Sequence, residues 1–91
     1  MGVYLISYDI KVANDFEYQP LWDALEELGA QRALLSLWLL ANDATQREIF
    51  DHFKSFLRST DKLIVVEMAR RPSVQQGFKG TSAFLDATGI R

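Results

Sequence analysis

Ninety-one residues are enough for one core, but at that size burial leaves a modest margin of stability, so self-association is a common supplement. A composition of 48% apolar and 24% charged residues excludes a disordered chain, while a net charge of -2 and a pI near 5.2 exclude broad electrostatic attraction to nucleic acid. The lack of cysteine removes disulfides, thiolate nucleophiles and Cys-type zinc sites, and the lone His52 excludes a multi-His metal site within one chain.

Tyr4-Leu5-Ile6-Ser7-Tyr8-Asp9-Ile10 is apolar and rich in branched and aromatic side chains, so it reads as a strand with Asp9 at its exit. Lys11 to Gln19 has no sustained period and carries the Asn14-Asp15 pair of a turn, which predicts a loop. Pro20 suits the first turn of a helix, and Leu21, Ala24, Leu25 and Leu28 fall at i, i+3, i+4 and i+7 before Gly29. A helix over about residues 19 to 28 follows, with Asp23, Glu26 and Glu27 toward water and Trp22 off the stripe, covering a sheet edge or a partner subunit.

Ala30 to Ala41 is dense in leucine but starts straight after a helix-ending glycine and has no polar face, so it reads as strand. It forms either one bent strand or two with a reversal near Leu35-Ser36-Leu37, where no Gly or Pro marks a tight turn. Thr45-Gln46-Arg47-Glu48 matches the capping box, and the helix it opens carries Ile49, Phe50, Phe53, Phe56 and Leu57 on one stripe, with Asp51, His52, Lys54 and Ser55 outward. That leaves His52 as a solvated histidine without a paired carboxylate. Lys62 to Met68 is apolar on both faces, the pattern of a strand inside a sheet.

The predicted order β-α-β-β-α-β is the split βαβ arrangement of a ferredoxin-like fold: α+β, with two helices on one face of an antiparallel sheet. The expectation is that the first and last strands form the central pair, which places Asp9 at the sheet's centre. Residues 1–68 make this domain. Residues 69–91, with Pro72, Gly77 and Gly80, form a C-terminal extension in which Thr81 to Ala87 has room for a helical turn or two capped by Gly89. Phe78, Phe84 and Leu85 require the extension to pack on its own sheet or on a second subunit. No run reaches the roughly 18 apolar residues of a membrane helix, and Met1-Gly2-Val3 enters the strand without a basic leader, so no membrane association and a cytoplasmic location are expected.

The strand ending in Asp9, the helix closing in Leu28-Gly29-Ala30, then Ser36-Leu37-Trp38 and Asp61-Lys62-Leu63-Ile64-Val65 together resemble the CRISPR-associated protein 2 family and its virulence-associated protein D relatives. The similarity covers about residues 3 to 68. It implies a small ferredoxin-like homodimer, acting either as a metal-dependent nuclease on RNA or DNA or as a non-catalytic module in spacer acquisition. It further implies that Asp9 meets its mate across the two-fold axis and that the pair holds Mg²⁺ or Mn²⁺ near a phosphodiester, a hard cation on carboxylate oxygens. Arg32 and the Arg70-Arg71 pair are then the groups that would orient phosphate. The chain departs from the family in the loop after Asp9, where Asn14, Asp15 and Glu17 stand in place of a basic run and Lys11 is the one cation, and between Arg32 and Ser36. Three readings follow: a metal-dependent nuclease, a non-catalytic dimer that binds nucleic acid or protein, and a small-ligand regulatory dimer. A purely structural role for Asp9, accepting N–H groups of the following loop, stands beside all three.

Overall fold

The computed structural model describes residues 1–10 and 18–91; the loop expected at residues 11–17 lies outside the described residues. Four strands and three helices follow in order: β1 (Gly2–Asp9), α1 (Gln19–Glu27), β2 (Gln31–Leu34), β3 (Leu37–Asn42), α2 (Gln46–Lys54), β4 (Lys62–Glu67) and α3 (Thr81–Thr88). The strands form one antiparallel sheet in the order β2-β3-β1-β4. This is a small α+β architecture compatible with a ferredoxin-like fold.

Alternation along β1 divides the core. Tyr4, Ile6 and Tyr8 point to one face, where they join Trp38 and Leu40 of β3, Val65 of β4, Leu21, Ala24 and Leu25 of α1, and Ile49 and Phe53 of α2. The opposite face carries a smaller cluster of Ala33, Leu39 and Leu85, roofed by α3. Two helices therefore cover one face and the third covers the β2–β3 half of the other.

Each helix starts and stops for a local reason. The Gly29 backbone is left-handed (φ 76°), and the Gly29 and Ala30 N–H groups donate to the Glu26 and Leu25 carbonyls, a Schellman motif that closes α1. Because the helix proper ends at Glu27, Leu28 turns out of the stripe assigned to it and is 40% exposed. The Thr45–Glu48 capping box forms as expected, the Glu48 N–H donating to Thr45 Oγ1 and the Thr45 N–H to Glu48 Oε1. Ile49 and Phe53 are buried on the stripe of α2, whereas Phe56 lies beyond the helix end and is exposed.

Residues 31–42 are two strands, with Leu35-Ser36 as the reversal. Neither turn residue has a positive φ, so this is not a primed hairpin turn; a register shift between Arg32 and Leu34 accommodates the splay instead.

Two expectations about the sheet are corrected. The central pair is β1 and β3, not the first and last strands, and β4 is an edge. Apolar character on both faces pointed to an interior strand, but only Val65 is buried; Ile64 and Val66 stand on the half of the second face that α3 does not reach, 61% and 44% exposed. The extension packs on its own sheet. Leu85 is 2% exposed against Ala33 and Leu39, with Phe84 partly buried beside it, while Phe78 stays exposed.

Candidate functional site

Asp9 ends a central strand, as expected, and is exposed. It follows Val3, Leu5 and Ser7 on the face away from α1 and α2, and its register partner on β4 is Lys62. Its carboxylate makes no hydrogen bond or ion pair with another described residue. The structural role proposed for it through loop N–H groups falls on residues outside the described ones.

Arg32 is placed on the other face. Its register partner is Trp38, its Nε donates to the Leu35 carbonyl at 3.1 Å, its Nη2 donates to the same oxygen, and the guanidinium lies 4.7 Å from the Trp22 ring centre and 5.6 Å from that of Trp38. The side chain thus ties down the reversal that carries no turn-forming residue and stacks on two indoles. Arg70 and Arg71 follow β4, which runs antiparallel to β1, so they leave the sheet at the Val3 end. Six residues of strand separate that end from Asp9, on the order of 20 Å. Arg70 is exposed, and Arg71 is held by Asp86 at 2.7 Å while its N–H donates to the Arg91 carbonyl. One chain therefore does not bring Asp9, Arg32 and the arginine pair to a common phosphate.

A divalent cation at Asp9 would need further hard donors converging beside its carboxylate. Among the described residues no three Asp, Glu, His or Cys side chains converge, and the nearest cross-strand neighbour of Asp9 is a cation, Lys62. The carboxylate of one chain does not fit such an ion on its own. His52 is exposed, with its ring edge-on to Phe53 and Phe56, as a solvated histidine.

What the sequence did not show is an aromatic knot around Tyr8. The Trp22 indole N–H donates to the Tyr8 hydroxyl at 2.8 Å, the Trp38 indole N–H donates to the same oxygen at 3.2 Å, and that hydroxyl in turn reaches the Leu35 carbonyl at 3.4 Å. Tyr18 stacks on Trp22 and donates its hydroxyl hydrogen to the Ile10 carbonyl. The available signal was parity: Tyr8 shares the helix-facing side with Tyr4 and Ile6, so its hydroxyl had to find partners indoors. A second feature is an apolar groove of about 180 Å³ between the sheet and the extension, with Leu5, Leu37, Leu39, Pro72 and Val74 among its walls. No protein-family model matches the sequence, and no solved structure gives a significant match. Among the described residues, no helix is long and apolar enough to cross a membrane.

Proposed function

We propose that this chain is a ferredoxin-like module that works as a homodimer and whose role is interaction rather than hydrolysis. The observation that carries the reading is the dispersal of the candidate catalytic groups: Asp9 lies at one end of the sheet, Arg70 and Arg71 at the other, and Arg32 on the opposite face in bonds of its own. The strand order β2-β3-β1-β4 with α1 and α2 on one face supports the ferredoxin-like assignment. Exposed Ile64 and Val66 on a chain of this size support self-association. The acidic balance and the intrachain engagement of Arg32 and Arg71 favour a protein partner over nucleic acid.

One observation favours a second reading, the metal-dependent nuclease of the CRISPR-associated protein 2 type: Asp9 is exposed at the end of a central strand and makes no bond to another described residue, so a second chain could supply its mate. Purified protein incubated with single- and double-stranded RNA and DNA, with Mg²⁺, Mn²⁺ or EDTA, separates the two. Under the interaction reading, cleavage by the native chain equals that of Asp9→Asn in every condition. Cleavage that requires the metal and disappears in Asp9→Asn would establish the nuclease.

A further inference from the structure

The extension is pinned at two points before α3. The Arg71 N–H donates to the Arg91 carbonyl at 2.9 Å and the Phe78 N–H donates to the Ala33 carbonyl at 2.9 Å. Between them, residues 72–77 belong to no helix or strand and make no backbone hydrogen bond with another described residue. Ser73 lies in this span. It is exposed, and its hydroxyl has no hydrogen-bond partner among the described residues. The local sequence is Arg70-Arg71-Pro72-Ser73-Val74, and of all the serines and threonines in the chain only Ser73 has two arginines among the three residues before it.

We propose that Ser73 is a phosphorylation site, used by a serine/threonine protein kinase whose substrate groove is acidic. Such a groove selects its substrate by the charges at fixed offsets along an extended chain. Arg70 and Arg71 stand three and two residues before the hydroxyl, and Pro72 disfavours the helical conformation at Arg71, so the stretch is already biased toward the extended form. Drawing residues 72–77 into a kinase cleft breaks no backbone hydrogen bond to a described residue. Arg70 is exposed and unpaired among the described residues. Arg71 would give up Asp86, but both side chains of that pair are well exposed, 36% and 70%, so the loss slows the reaction by no more than about fivefold. In the transfer, Ser73 Oγ bonds to the γ-phosphorus of Mg²⁺-ATP and the bond from that phosphorus to the β,γ-bridging oxygen breaks. ADP leaves, and the hydroxyl proton passes to the kinase's catalytic carboxylate.

The modification also has a local effect. A phosphate of charge about -2 then sits two residues from Arg71, and alternate residues of an extended stretch share a side. A charge-assisted pair of guanidinium and phosphate is stronger than the exposed pair with a carboxylate, so Arg71 exchanges Asp86 for the phosphate. Asp86 lies on α3, and the exchange removes the ion pair that ties residue 71 to that helix.

The test is phosphorylation of the folded chain by Mg²⁺-ATP and a serine/threonine kinase selective for paired arginines, run beside a peptide of residues 68–77. The expected product carries one phosphate, located on Ser73 by fragmentation and absent from Ser73→Ala. Its kcat/KM should lie within about fivefold of the peptide's and fall about tenfold in Arg70→Ala. Both variants should keep the native circular dichroism, since neither side chain bonds to another described residue. In the phosphorylated chain the Arg71 Nε–H resonance should move and follow the second ionisation of the phosphate, near about pH 6. No incorporation, phosphate spread over other hydroxyls, a folded chain slower than the peptide by well over that fivefold, or an undiminished rate in Arg70→Ala would overturn the site. Phosphoserine at position 73 with an unmoved Arg71 resonance would overturn the ion-pair exchange and leave the acceptor assignment standing.

Discussion

Tyr4 and Tyr8 share the helix-facing side of β1, and each reaches from the core to a carbonyl of a neighbouring connection. Tyr4 donates to the Ala44 carbonyl at 2.6 Å, just before α2, and its ring lies where a Cβ on Gly2 would come within 2.8 Å. Burial, with the Glu67 and Glu48 carboxylates adding to it, raises the Tyr4 pKa above its ordinary value. The neutral phenol is thus favoured in the fold. That preference is fully present below the unfolded-state value near 10, and stability is lost as the pH climbs from there toward the raised folded value. Urea unfolding between pH 9 and about 11 should therefore show a falling midpoint in the native chain and a shallower fall in Tyr4→Phe.

The capping box of α2 shows how much one element owes to one residue. Thr45→Ala removes the hydroxyl that accepts the Glu48 N–H and should cost about 1 kcal/mol in chemical denaturation. Glu48 has its pKa lowered, first by the Thr45 backbone N–H and then by the Thr45 hydroxyl. A lowered carboxylate contributes its stability above its unfolded-state pKa and loses it as the pH falls through the folded value, so Thr45→Ala should also flatten the acid limb of the stability curve. This start signal was legible in the sequence because both halves of the interaction lie within four residues. The edge placement of β4 was not, because local pattern records which residues are apolar and not which strands lie alongside. The 31–42 hairpin is a mixed case. Its β character was readable, but the reversal at Leu35-Ser36 is stabilised by the guanidinium of Arg32 and the hydroxyl of Tyr8, contacts that no turn preference encodes.

Over the whole molecule, the extension is part of the fold. Leu85 fills the space above Ala33 and Leu39, so Leu85→Ala should cost 2 to 5 kcal/mol by roughly the scale of other buried leucines, measured as a drop in the urea midpoint. For a small domain whose total stability is on the order of 5 to 15 kcal/mol, that loss would be conspicuous. A merely appended tail would show almost none of it. By covering β2 and half of one face, the extension leaves the Ile64–Val66 surface of β4 exposed.

The sequence by itself determined where the chain is helical or extended, how α1 and α2 begin, that Asp9 would end a strand, and that no Cys-based or multi-His chemistry is available within one chain. Those properties depend on residue type and on neighbours a few positions away. Tertiary structure decided which strands are central and which are edges, which face of the sheet remains open, and that Asp9, Arg32 and the Arg70-Arg71 pair stand apart. The reason is that strand order and facing are settled by the packing of helices and extension over the whole sheet, and two residues far apart in sequence are joined or separated only by that packing.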